Sequence, residues 1–142
     1  MHRIAAGIFW CNALAMLAIG LAFVTADRFF PFHGDVIQMA WSGLELPFQT
    51  LYLGMMRTEG AGYLATALAL AILLLIPFRQ NARWATWAIV SIGIVEHLPT
   101  FLATLHVART TAASPPWIAT GLLMVSLVCG LILALQKSDS NS

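Results

Sequence analysis

The sequence predicts an all-α fold: an antiparallel bundle of four membrane-spanning helices, with a short interfacial helix between the first two spans. Of the 142 residues, 60% are hydrophobic and only 9% are charged. A soluble domain carries roughly 25% charged residues, so this chain lacks the side chains that would cover a globule in water. The apolar residues also form separate runs, each near the roughly 20 residues that cross a bilayer as one helix.

These runs predict a single membrane domain over residues 1–137. The first run precedes Val24-Thr25-Ala26, which could end a signal peptide, but it exceeds the roughly 7–15 apolar residues of such a leader, so we expect a retained helix. The second apolar run is short, so its helix must extend backwards through Glu59 and Arg57 to reach across the bilayer. Residues 138–142 are expected to be a disordered tail. The predicted spans are 4–24, 50–76, 84–105 and 117–135.

The segment between the first two spans is too charged to cross a membrane. Asp35 is suited to cap a short helix over residues 35–46. Trp41 in that helix would lie at headgroup depth. The same helix could instead fold over the end of the bundle as a lid.

Charge and composition bound the partners and the orientation. The net charge of +1 excludes nucleic acid as an expected partner. We expect the protein to lie in an inner membrane with both termini in the cytoplasm. This orientation places most of its basic residues on the cytoplasmic side, where Lys and Arg are generally enriched. The residues that set this orientation are Arg3, Arg79, Arg83 and Lys137.

Cys11 and Cys129 lie inside apolar runs, so we expect two small buried side chains and no disulfide.

The third span carries the most unusual stretch, in which Glu96, His97 and Pro99 lie close together. An ionisable residue within a span is by default a functional-site hypothesis, because charge in hydrocarbon is costly. Pro99 would kink the helix and free the carbonyl of Val95. Counted from the basic turn at about 1.5 Å per residue, both ionisable residues reach a depth of about 20 Å. Tyr63 reaches the same depth on the second span.

Glu59 and Arg57 continue this polar series towards the outer end of the second span. Two structural alternatives stay open: the cluster could hold the helices in register, or Arg57 and Glu59 could pair at the membrane interface. Asn12, in the otherwise uncharged first span, could join two helices or contact a ligand. We expect His2, His33 and His106 to be solvated.

The layout resembles the DoxX-like group of small four-helix bacterial membrane proteins. The resemblance rests on Arg57-Thr58-Glu59-Gly60-Ala61-Gly62 at the start of the second span and on the short basic turn 79–83. It implies a link to redox and quinone processes, but it carries over no catalytic residue. Small multidrug transporters also have four spans, but their key glutamate lies in the first helix.

The sequence therefore predicts a membrane protein with a polar pocket in the outer half of its bundle, for a lipophilic small molecule. Glu96 and His97 would supply acid–base groups for proton-transfer chemistry such as isomerisation. No metal site is predicted, and the sequence selects no cofactor. The alternatives are an accessory subunit that packs against a larger membrane complex, and a transporter protomer that forms a homo-oligomer. The expected ligand contacts are Tyr63, Glu59, Arg57, Asn12 and Trp41.

Overall fold

A computed structural model describes residues 2–136, and this part of the chain is helical and without strands. Four of its helices are long and apolar enough to cross a membrane, which confirms the predicted all-α four-helix membrane bundle. A 3₁₀ turn at Trp41–Gly43 precedes the third helix, and a π-helical turn at Leu74–Phe78 extends it. The predicted tail at 138–142 lies outside the described residues. The helices are α1 (His2–Thr25), α2 (Pro31–Ile37), α3 (Leu46–Leu73), α4 (Arg83–Thr110) and α5 (Trp117–Leu135).

The long helices extend beyond several of the predicted bounds. The second span begins at Leu46, which places Arg57 and Glu59 well inside a continuous helix. Pro77, which directly follows the predicted end of this span, lies within the π-helical turn. A π turn leaves room for a residue that has no N–H to donate. The chain then reverses at Asn81, whose φ of 58° is tolerated better by Asn than by most residues.

The short helix between the first two spans lies earlier than the predicted 35–46. Pro31 occupies the first turn of α2, where the missing N–H has no intrahelical partner to lose. Asp35 lies in the last turn and is therefore not the N-cap. Beyond α2, the side chain of Gln49 donates to the carbonyls of Trp41 and Leu44 at 3.1 and 2.9 Å, which ties the 3₁₀ turn to α3.

The bundle is divided along its length into two unlike halves. The closed half contains both described chain ends and the α3–α4 turn, over residues 2–16, 67–93 and 124–135. The cavity half lies towards α2, over residues 17–25, 46–66 and 94–123. Among the described residues, the large apolar side chains that are completely buried all lie in the closed half. They are Phe9, Met16, Leu70, Leu74, Ile89 and Leu127.

Helix α1 packs chiefly against α3 and α5, and α4 packs chiefly against α5. A Cβ added to Gly20 would lie 2.9 Å from the Gly60 carbonyl oxygen, and one added to Gly60 would lie 2.9 Å from the Gly20 carbonyl oxygen. These glycines therefore let the backbones of α1 and α3 touch, as small residues do in membrane helix pairs. Cys11 and Cys129 are free and exposed on the bundle surface, so the expectation that they are buried is wrong.

Candidate ligand-binding cavity

The cavity half encloses a space of about 660 Å³ that is bounded by all four long helices and by α2. Its deepest lining residues on α3 and α4 are Tyr63 and His97, and its roof is formed by α2. The volume lies within the range of roughly 300–1,000 Å³ that is typical of small-molecule sites. Most of the wall is apolar. The apolar lining includes Ile19, Phe23, Phe32, Val36, Ile37, Val107 and Leu123.

His97 is the most unusual residue of the cavity wall. Its side chain is only 1% exposed, and neither ring nitrogen has a hydrogen-bond partner among the described residues. Buried polar atoms are nearly always paired, and leaving one unpaired costs roughly 1–3 kcal/mol. A neutral imidazole carries one donor and one acceptor nitrogen, so both functions remain free to meet a ligand.

The hydroxyl groups of the wall, by contrast, already have partners. Tyr63 donates its phenolic proton to Thr100 Oγ1 at 3.1 Å, which joins α3 to α4. Thr100 Oγ1 in turn lies 3.4 Å from the Glu96 carbonyl oxygen. Thr104 and Thr120 donate to carbonyls of their own helices at 2.7 and 3.2 Å. These hydroxyls therefore offer mainly acceptor lone pairs to a ligand, which leaves His97 as the buried donor.

A crevice between α3 and α4 connects the cavity with the bundle surface. Glu59 on α3 and Pro99 and Ala103 on α4 each line the cavity and are each exposed. A residue that both lines the cavity and is exposed on the bundle surface lies at an opening of the cavity. In a membrane this opening faces lipid, because it lies partway along two spanning helices. No basic side chain pairs with Glu59 within residues 2–136.

Glu96 lies on the closed side of this crevice and not in the cavity wall. Its Oε2 accepts a hydrogen bond from Thr66 of α3 at 3.2 Å. Its Oε1 would lie 3.8 Å from a Cβ added to Gly62, so the two helices are close together at this level. Glu96 and His97 thus point to different sides of α4, as adjacent residues of a helix must.

Three of the other predicted contacts lie away from the cavity. Arg57 is exposed on α3. Asn12 is buried in the closed half, where its Nδ2 donates to Ser126 Oγ of α5 at 2.8 Å, which agrees with the first of its two interpretations, a polar link between helices. The ring of Trp41 packs edge-on against Phe29 at a centroid distance of 5.1 Å, outside the cavity.

His33 was expected to be solvated, but it is half-buried. It lies in α2, lines the cavity roof and has a buried Nδ1 without a partner among the described residues. Burial lowers the pKa of its imidazole below the usual range. The ring packs at 4.1 Å from that of Phe32 and at 6.1 Å from that of Phe30. The surrounding aromatic residues were the sequence signal for this burial.

Thr100 and Thr104 were also missed. Together with His97 they follow the i, i+3, i+7 spacing that places residues on one helix face, so the stripe was visible in the sequence. The described residues contain no group of three or more His, Cys, Asp or Glu side chains that could hold a metal ion. No family model, no curated protein and no solved structure matches this chain.

Proposed function

We propose that this protein binds a lipophilic small molecule in the cavity half of its bundle, with His97 as the central polar contact. The observation that carries the proposal is the burial of an imidazole with two unpartnered nitrogens in the wall of an otherwise apolar cavity. Binding sites commonly combine an apolar lining with a few such polar groups. A histidine with a purely structural role would have protein partners for its nitrogens.

The experiment is native mass spectrometry of the protein purified in mild detergent. We expect a bound lipophilic mass that is lost in His97→Leu and retained in His106→Leu. His106 is the matched control because it is exposed near the end of the same helix. A mass that survives in His97→Leu would contradict the role of His97. A chain without any bound small molecule would contradict the proposal.

The variant Glu96→Gln distinguishes the site predicted from the sequence, which includes Glu96, from the cavity site centred on His97. Glu96 accepts a bond from Thr66 and does not line the cavity, so we expect this variant to retain the ligand. Loss of the ligand in Glu96→Gln, with the helices still folded, would restore Glu96 as a ligand contact.

Acid–base chemistry on the bound molecule is a second candidate function. His97, Tyr63 and Glu59 line one cavity, and convergent titratable groups of this kind can transfer protons to and from a substrate. If the protein is an isomerase of this type, a ligand released after incubation in D₂O should contain carbon-bound deuterium. A ligand without carbon-bound deuterium would show that the protein binds the molecule but does not transfer protons to its carbon atoms.

We also propose that the protein lies in the inner membrane with both termini in the cytoplasm, so that the cavity half faces outwards. The cysteine variants Ser42→Cys and Asn81→Cys, made without Cys11 and Cys129, test this with a maleimide that cannot cross the membrane. Labelling of intact cells at position 42 alone supports the proposed orientation. Labelling at position 81 alone would reverse it.

The accessory-subunit alternative would use small residues of α1 as an interface with a partner. Ala5, Ala13 and Gly20 are buried within the bundle, whereas Gly7 is exposed on its surface. The native mass spectrum also tests it, together with the homo-oligomer, because a fixed polypeptide partner or a dimer would appear as a larger mass.

A further inference from the structure

We infer that the ligand is a lipophilic amine, bound as its ammonium ion with the Glu59 carboxylate as counter-ion at the crevice between α3 and α4. This inference rests on the proposed binding function and adds the charge of the ligand. It is drawn from the distribution of charged and polar groups around the cavity.

Among residues 2–136, the cavity lining contains a carboxylate and two imidazoles but no basic side chain of a Lys or Arg. Arg57 is nearby in sequence, but it lies two positions from Glu59 on α3, and residues at that spacing do not face each other on a helix. Glu96 adds a second carboxylate at the edge of the same crevice. An anionic ligand would therefore meet repulsion and find no fixed positive charge.

A neutral ligand would leave Glu59 without a partner at membrane depth, where an isolated charge is costly. An ammonium ion at the crevice would neutralise it. Tyr63 and Phe23, which line the cavity and pack at a centroid distance of 6.2 Å, offer ring faces to a cation. The carboxylate and the aromatic rings together form a suitable environment for an amine.

The apolar part of the ligand would extend along the cavity. From His97 to Val107 the lining of α4 rises by ten residue steps, or about 15 Å of helix. This length accommodates a flexible hydrocarbon chain. The crevice would let such a molecule enter directly from the bilayer, into which it partitions.

The test compares three radiolabelled probes that share one chain and differ in head group: dodecylamine, dodecanol and dodecanoate. Each is equilibrated with the full-length protein in micelles of a nonionic detergent, and binding to empty micelles is subtracted. We expect the amine to bind at least about tenfold more tightly than the alcohol, and the carboxylate to bind most weakly. This comparison uses the unmodified protein and does not depend on any variant.

Glu59→Gln then identifies the counter-ion. We expect it to weaken amine binding about tenfold and to leave alcohol binding unchanged. Glu45→Gln is the control, because Glu45 is an exposed carboxyl group that does not line the cavity. It should change neither affinity.

The outcomes separate this inference from the function on which it rests. If the alcohol binds as tightly as the amine, or if Glu59→Gln leaves amine binding unchanged, the ligand is not selected by charge and the inference fails, while the binding function stands. If none of the probes binds, the binding function and this inference fail together.

Discussion

The two halves of the bundle are built from the same four helices but are packed in opposite ways. In the closed half, Phe9 fills the space beside Gly130 and packs edge-on against Phe78 at a centroid distance of 5.6 Å. In the cavity half, Phe23 on the same helix lines the cavity. The bundle is thus tightly packed at one end only. The cavity is therefore specific to the region of His97 and does not reflect loose packing of the whole fold.

The largest effect should come from equal truncations in the two halves. Phe9→Ala removes a fully buried ring from a filled core, so we expect a loss of about 3–5 kcal/mol in the free energy of unfolding. Phe23→Ala enlarges an existing cavity, so it should lower the free energy of unfolding by only about 1 kcal/mol. Unfolding by SDS from mild-detergent micelles, followed by circular dichroism, measures both. Equal losses would remove the distinction between the halves.

A buried polar group should have opposite effects on stability in the two halves. His97→Leu replaces an unpartnered imidazole by an apolar side chain, and we expect the ligand-free protein to gain about 1–3 kcal/mol of unfolding free energy. The control is Asn12→Leu, which breaks the bond to Ser126 and should destabilise by about 0.6–1.7 kcal/mol. The same SDS titration measures both variants. If His97→Leu were destabilising, His97 would have a structural role and not a binding one.

The four spans followed from hydrophobicity and length, which depend on the bilayer and not on tertiary contacts. Depth counting placed His97 and Tyr63 at one level, and the structure places both in one cavity wall. Helix spacing alone could not decide which side of α4 faces inwards. For this reason both Glu96 and His97 were predicted as site residues, although only His97 lines the cavity.

The position of α2 could not be predicted for a different reason. Phe29, just before α2, is buried by packing against a residue distant in sequence, with its ring 5.7 Å from that of Tyr52. A helix of one or two turns is too short for its own periodicity to be informative. The predicted helix start at Asp35 is therefore wrong, and α2 begins at Pro31.

The smallest effect should be a pH dependence of α2 docking. Burial lowers the pKa of His33, so the docked state favours the neutral ring. As the pH falls below about 6.5, the usual histidine value, the undocked state takes up a proton that the docked state does not. Docking should therefore be complete at pH above that value and weaken progressively below it. His33→Gln should remove this dependence.

A nitroxide label measures this docking directly. Met39→Cys, in a protein with Cys11 and Cys129 changed to serine, places the label on an exposed position just after α2. Its mobility by electron paramagnetic resonance should rise as the pH falls from neutral towards acid. An unchanged spectrum would show that α2 stays on the cavity half whatever the charge of His33.

The contact between Gly20 and Gly60 has a consequence for how this protein could diversify. Any larger residue at either position would meet the opposite backbone, so selection should keep both glycines unchanged in descendants of this chain. Ala103 and Ala119, which line the cavity from α4 and α5 and are also exposed, have room to vary. Changes in ligand preference should therefore accumulate on the α4–α5 pair, while α1 and α3 are inherited as a constant frame.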